Sequence, residues 1–123
     1  MILRILVVDD EASTRLLIRS YLQKMGLGVL EAESGNAALE LLKQERPDAV
    51  ILDLNMPDGS GWETACKLKQ DPVTKDLPLI AITGLTEELA ILGRPKPIWD
   101  DFIEKPFSLV MLKKVLKRVG LPL

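Results

Sequence analysis

The chain has 123 residues, of which 47% are hydrophobic and 28% are charged, and its net charge at pH 7 is −2. This length and composition predict one soluble globular domain spanning residues 1–123. The nearly balanced charge gives no electrostatic reason for direct binding to nucleic acid or to a membrane. The sequence has no histidine, which excludes Ser-His-Asp and Cys-His catalysis and the usual zinc sites. A single cysteine excludes an internal disulfide and fits a reducing cytoplasm.

Predicted strands alternate along the whole chain with segments whose apolar residues recur at helical spacing. Strands are predicted at residues 2–8, 29–32, 49–53, 77–82 and 98–103. The apolar run 49–52, which ends at Asp53, is typical of a buried strand, whereas the fifth strand is more polar. Helices are predicted to begin at Ala12, after Ser34, at Trp62, at Glu87 and near Pro106. Pro95 and Pro97 prevent the fourth of these helices from running on, so it is predicted to be short or irregular. This alternation favours an α/β fold with a flavodoxin-like, doubly wound, five-stranded parallel sheet in the order 2-1-3-4-5.

Polar residues follow the predicted strands. Asp9 and Asp10 follow the first strand, Asp53 ends the third, Thr83 ends the fourth, and Lys105 follows the fifth. Because the carboxyl ends of parallel strands meet at one edge, and strands one and three are neighbours, the three carboxylates should converge. Carboxylates packed together repel one another unless a cation lies between them. Hard oxygen ligands with room for water favour Mg²⁺ over a fully enclosed Ca²⁺.

A nucleophilic carboxylate, a divalent cation, a lysine and a hydroxyl together indicate a site for phosphoryl transfer. Each residue is also compatible with a simpler explanation. Asp53 could merely end its strand, and Asp9 and Asp10 could complement a helix dipole. Thr83 could be an ordinary strand residue, and Lys105 could be solvated. The convergence of four strand ends at one edge favours the phosphoryl site.

Four segments match a known family in the correct order. They are Val7–Glu11, Asp53–Gly61, Ile82–Gly84 and Phe102–Phe107. With these segments the chain closely resembles the receiver domain of bacterial two-component response regulators, over its whole length. The resemblance implies that Asp53 is the phosphoacceptor. It also implies that Asp9, Asp10 and Asp53 bind Mg²⁺ together with the backbone carbonyl of Asn55.

The same resemblance assigns roles to three more residues. Thr83 would bond a phosphoryl oxygen, and Lys105 would pair with the phosphoryl group. Phe102 falls at the aromatic switch position, which turns inward as Thr83 moves toward the phosphoryl group. The Lys105–Pro106 bond resembles the cis peptide of the family, which would aim the lysine into the site.

Partners and activity are also implied by the resemblance. The phosphoryl donor would be a phosphohistidine on a histidine kinase or on a histidine phosphotransfer protein. The signal would pass to an unknown downstream protein in the cytoplasm, and a homodimer is compatible with this scheme. The domain would not be a turnover enzyme, because its chemistry would be limited to self-phosphorylation and slow autodephosphorylation.

The sequence departs from the family pattern between Gly84 and Trp99. Receivers commonly end their fourth helix in a Gly-Ala pair, whereas this chain has the proline-broken stretch Gly93–Trp99. This departure leaves a second hypothesis open, a pseudo-receiver that is never phosphorylated and acts as a protein-interaction module. A third hypothesis, an aspartate-nucleophile phosphatase, ranks last because such enzymes usually place a second acid where Asn55 stands. The sequence is compatible both with a stand-alone regulator and with a fragment of a longer protein.

Overall fold

The computed structural model describes residues 2–58, 60–84 and 99–123. In chain order, its elements are β1 (Arg4–Val8), α1 (Ala12–Lys24), β2 (Gly28–Ala32), α2 (Gly35–Leu41), β3 (Ala49–Asp53), α3 (Ser60–Gln70), β4 (Leu79–Thr83), β5 (Asp101–Glu104) and α4 (Leu109–Arg118). The strands form one parallel sheet in the order β2-β1-β3-β4-β5. The predicted flavodoxin-like doubly wound fold is therefore confirmed. The predicted helix from Glu87 and the segment with Pro95 and Pro97 lie outside the described residues.

The centre of the sheet is the most deeply buried part of the fold. All five residues of β3 and all five of β4 are buried, as expected for strands covered by helices on both faces. Successive side chains of β3 enter the two separate apolar clusters, Ile51 on one face and Leu52 on the other. The register places Asp53 beside Ile82, so β3 and β4 end together at the same edge. None of the helices in the described ranges is long and apolar enough to cross a membrane.

Two serines fix where helices begin. Ser34 Oγ accepts a hydrogen bond from the backbone N–H of Ala37 at 3.1 Å, so Ser34 is the N-cap of α2, and the helix begins directly after it as predicted. Ser108 Oγ accepts one from the N–H of Met111 at 3.2 Å and starts α4. The cap of α4 therefore comes directly after the segment that carries Lys105, and it limits how far that segment can shift.

β5 begins at Asp101, later than the start near residue 98 that was predicted from the sequence. The preceding residue, Asp100, bonds to β4 through both its backbone and its side chain. Its N–H donates to the Leu79 carbonyl oxygen at 2.8 Å, and its Oδ2 accepts from the Leu79 N–H at 2.7 Å. Beside it, the Trp99 ring packs edge-on against Trp62 of α3, with centroids 5.1 Å apart. These contacts hold residues 99 and 100 in a bend directly before β5.

Gly61, in the first turn of α3, lies against the end of β3. A Cβ atom at this position would come within 2.6 Å of the Asp53 carbonyl oxygen and 2.8 Å of Leu54 Cα. Both neighbours are backbone atoms, so neither can move aside without shifting the strand end. Gly61→Ala is therefore expected to lower the free energy of unfolding by about 1–3 kcal/mol, measured by urea denaturation.

Gly84→Ala provides the matched control for this substitution. No atom in the described part of the chain lies within 4 Å of a Cβ placed there. Its free energy of unfolding should stay within about 0.5 kcal/mol of wild type. Equal stability of the two alanine variants would show that the close approach of α3 to Asp53 does not constrain the fold.

Candidate functional site

Three carboxylates meet at the carboxyl edge of the sheet. Asp9 directly follows β1 and Asp53 is the last residue of β3, and the two are 0% and 2% exposed. Asp10 is exposed at the rim. One carboxylate oxygen from each of the three lies within 4.8 Å of the others. The convergence predicted from strand order is therefore present in the fold.

Asp9 is held by backbone groups on one side and faces its neighbours on the other. Its N–H donates to the Ala32 carbonyl oxygen at 3.1 Å, and its Oδ1 accepts from the Glu11 N–H at 2.9 Å. Its buried Oδ2 accepts no hydrogen bond from any described residue. Burial raises the pKa of Asp9 from 3.8 to about 6, and the nearby charge of Asp53 adds to the increase.

The ammonium group of Lys105 faces two of these carboxylates. Its Nζ lies 3.4 Å from Asp53 Oδ2 and 3.5 Å from Asp9 Oδ2, and its side chain is 28% exposed. Burial tends to lower the pKa of Lys105, but the attraction of Asp53 and Asp9 outweighs burial and raises this pKa above its usual value. The Lys105–Pro106 bond is cis, and the Lys105 N–H donates to the Thr83 carbonyl oxygen at 2.9 Å. The ammonium is thus shared between two carboxylates, at distances longer than those of a tight ion pair.

Asn55 links Asp53 to Thr83, a connection that sequence reasoning missed. Its N–H donates to Asp53 Oδ1 at 2.9 Å, and its side-chain amide donates to Thr83 Oγ1 at 3.3 Å. Thr83 ends β4 and is fully buried. The one sequence feature that pointed to this link was the position of Asn55, two residues after Asp53. The family resemblance assigned a role only to the backbone carbonyl of Asn55 and none to its side chain. The metal-binding role of that carbonyl stays a prediction.

Phe102 lies apart from the carboxylates, on β5. It pairs with Ala81 in the sheet, and 42% of its surface is exposed. It lines an open groove together with Pro106 and Met111. This orientation leaves room for an aromatic ring to turn, but the inward movement itself stays a prediction.

The residues of the cluster fit a small divalent cation. Its ligand atoms are all carboxylate oxygens, two of the three acids are buried, and Asp9 Oδ2 lacks a hydrogen-bond donor among the described residues. A buried, unsatisfied carboxylate oxygen is costly, and a hard cation satisfies it directly. The exposed Asp10 leaves the rim open to water, which suits Mg²⁺ because this ion retains part of its hydration shell.

Without a metal, the cluster should make folding stability depend on pH. Because the folded-state pKa of Asp9 is raised to about 6, the folded protein binds a proton that the unfolded chain releases near pH 4. Stability from this group is therefore complete below pH 4 and is lost as the pH rises through 6. The loss is about 3 kcal/mol at most. Urea denaturation in a chelator, at pH values from 4.5 to 7.5, measures it.

Asp9→Asn isolates this effect from other titrating groups. The amide oxygen can still accept from Glu11 N–H, but the charge is gone. The metal-free variant should be more stable than wild type at pH 7.5, and the difference should shrink toward pH 4.5. A stability difference that does not change with pH would contradict this account. Saturating Mg²⁺ should stabilise wild type far more than the variant.

Three comparisons with known proteins bear on this site. The family model described as the response regulator receiver domain matches residues 5–117. The phosphate regulon transcriptional regulatory protein PhoB of Pseudomonas aeruginosa is 40% identical over 120 residues, which cover 94% of this chain and 52% of that protein. PhoB of Escherichia coli is 35% identical over 95% of this chain and 53% of its own length. The chain thus spans about half the length of these curated relatives.

Solved structures agree with the fold, and one of them was solved with a metal. The response regulator TrrA of Thermotoga maritima, solved in complex with Mg²⁺–BeF, is 33% identical. It superposes with a TM-score of 0.80, over 96% of this chain and 99% of that one. The chemotaxis response regulator CheY4 of Vibrio cholerae is 28% identical, with a TM-score of 0.82 over 97% and 99% of the two chains.

Proposed function

The chain belongs to the response regulator receiver domain family of two-component systems, and from this membership we propose that it is a phosphorylation-dependent switch. In this proposal Asp53 accepts a phosphoryl group from a phosphohistidine on a histidine kinase or a histidine phosphotransfer protein. Residues 1–123 form a single receiver domain that acts in the cytoplasm on an unknown downstream protein. The convergence of Asp9, Asp10, Asp53 and Lys105 at one sheet edge is the observation that supports it most.

Asp53 is the nucleophile in this scheme. One of its carboxylate oxygens attacks phosphorus, a P–O bond forms, and the bond from phosphorus to the donor nitrogen breaks. The Asn55 N–H holds Asp53 Oδ1 and so fixes the carboxylate plane. No separate base is needed, because a carboxylate oxygen forms the new bond to phosphorus without losing a proton.

The other site residues stabilise charge that builds up on the phosphoryl oxygens. Lys105 Nζ, 3.4 Å from Asp53 Oδ2, lies where an added phosphoryl group would meet its ammonium. Thr83, at the end of the adjacent strand, offers a hydroxyl to a further oxygen. Asp9, Asp10, Asp53 and the carbonyl of Asn55 would hold Mg²⁺. When bound, this cation screens the carboxylates and polarises the phosphoryl oxygens. TrrA, solved with Mg²⁺–BeF, supports this assignment.

The signal would leave the site through Thr83 and Phe102. Asn55 already bonds the Thr83 hydroxyl, so a phosphoryl group that draws Thr83 toward it must change this contact. Thr83 and Phe102 lie on adjacent paired strands, and Phe102 is exposed enough to change its position. This relay is the proposed output of the switch. The alternative is a pseudo-receiver, for which the departure between Gly84 and Trp99 is the specific observation.

One experiment separates the switch from its alternatives. The protein is incubated with Mg²⁺ and a small acyl phosphate, and its intact mass is then measured. The switch predicts one added phosphoryl group that is stable in acid, labile in base, and absent when a chelator replaces Mg²⁺. No adduct with any donor would favour the pseudo-receiver. Rapid multiple turnover of varied phosphate esters would favour a phosphatase and would contradict the proposal.

A further inference from the structure

Arg15 lies in the first turn of α1, directly after the acidic stretch Asp9–Glu11 and with Glu11 as the N-cap of the helix. The neighbouring acids favour a guanidinium here and offset its charge near the positive end of the helix dipole. The same positive charge weakens the attraction of the acidic cluster for a metal cation. What Arg15 does at this site is therefore decided by its contacts and not by its charge alone.

The side chain of Arg15 extends back to the β1–α1 turn, which carries Asp9 and Asp10. Its Nη1 donates a hydrogen bond to the Asp9 carbonyl oxygen at 2.6 Å. With this bond, the turn is held at three points on Asp9: its N–H, its Oδ1 and its carbonyl oxygen. The Oδ2 atom that faces Asp53 and Lys105 is the part of Asp9 left outside these hydrogen bonds within the described residues.

Glu31 on β2 fixes the guanidinium in turn. Its Oε1 lies 3.4 Å from Arg15 Nε, and its Oε2 accepts a hydrogen bond from Arg19. The register places Glu31 beside Val7, two residues before Asp9. The Arg15 side chain is 16% exposed, so its charge is only partly screened by solvent and the carboxylate of Glu31 offsets it.

We propose that Arg15, held by Glu31, is a positioning residue that sets the β1–α1 turn so that Asp9 and Asp10 can bind a divalent cation. This inference rests on the proposed function, because it assigns Arg15 to the same cation site. Arg15 touches neither the cation nor the phosphoryl group, and it acts through the Asp9 backbone. Partners that orient metal ligands in this way commonly change metal affinity by about 10–100-fold when removed.

Arg15→Met provides the decisive test, because positioning and simple charge effects predict opposite results. The variant loses a positive charge near the site, so electrostatics alone would tighten Mg²⁺ binding. Loss of positioning should instead weaken it by about 10-fold or more. Mg²⁺ alone is titrated by calorimetry, and the melting temperature in a chelator is measured separately. The expected result is a large loss of affinity with little change in the metal-free melting temperature.

Two further single variants and one double variant complete the design. Arg19→Met removes the other arginine that bonds Glu31, but not a contact to Asp9, and should leave Mg²⁺ affinity within about twofold of wild type. Glu31→Gln should weaken Mg²⁺ binding in the same direction as Arg15→Met, and it tests the proposal even if Arg15→Met fails to fold. In the double variant Arg15→Met/Glu31→Gln the two losses should not add, because both act through one contact.

The outcomes distinguish this inference from the function on which it rests. If Arg15→Met binds Mg²⁺ as tightly as wild type, or more tightly, the positioning role is overturned while the switch stands. If Arg19→Met loses as much affinity as Arg15→Met, the effect is general to the arginine pair and the specific role is overturned. If wild type neither binds Mg²⁺ nor forms the phosphoryl adduct, both the function and the inference are overturned.

Discussion

Asp53→Asn is expected to abolish the phosphoryl adduct completely, with any donor and at any Mg²⁺ concentration. The carboxamide keeps the shape of the side chain and can still accept the hydrogen bond from Asn55 N–H, but it is not a nucleophile. Asp9 and Asp10 remain in place, but in this proposal they hold the cation and do not accept the phosphoryl group. The measurement is the intact mass after incubation with a small acyl phosphate and Mg²⁺.

Asp76→Asn is the matched control for this loss. It makes the same chemical change on an exposed aspartate that precedes β4, at the opposite edge of the sheet. Its adduct should form at the wild-type rate. An adduct on Asp53→Asn that forms as fast as on Asp76→Asn would show that another residue accepts the phosphoryl group.

Lys105→Met should slow adduct formation by about 10²–10³-fold, the usual effect of removing one group that stabilises transition-state charge. The same substitution removes a positive charge that lies 3.4 Å and 3.5 Å from two of the proposed metal ligands. Mg²⁺ should therefore bind at least as tightly as in wild type. A slower reaction combined with undiminished Mg²⁺ affinity is the expected signature, measured by adduct kinetics and calorimetry.

Lys113→Met controls for the general loss of a lysine, because Lys113 is exposed on α4. It should change neither the rate nor the affinity. If the slow reaction of Lys105→Met recovered fully at high Mg²⁺ concentration, Lys105 would act only through cation binding. That result would contradict its direct role at the phosphoryl group.

Sequence patterns predicted the frame of the site for clear physical reasons. Uniformly apolar runs such as 49–52 belong in the middle of a parallel sheet, and chain direction sends all their carboxyl ends to one edge. A charged residue such as Asp53 cannot lie inside such a strand, so its position at the edge follows from burial alone. The convergence of Asp9, Asp10 and Asp53 was therefore predictable from the sequence.

The details that tune the site were not predictable in the same way. The bond from Asn55 to Thr83 joins residues 28 positions apart, and no periodic pattern carries it. The contact of Arg15 with the Asp9 carbonyl depends on which way one long side chain turns. The close approach of Gly61 to Asp53 depends on how α3 packs, to within fractions of an ångström. These features come from tertiary packing, which hydrophobic period and strand order do not specify.

The most direct test of the central claim identifies the residue that carries the phosphoryl group. Borohydride reduces an aspartyl phosphate to homoserine, so treatment of the phosphorylated protein marks the acceptor permanently for peptide mass spectrometry. The proposed switch predicts a homoserine derived from Asp53 alone, formed only when Mg²⁺ is present. Homoserine derived from Asp9 or Asp10, or from no aspartate at all, would contradict the assignment of Asp53 as the phosphoacceptor.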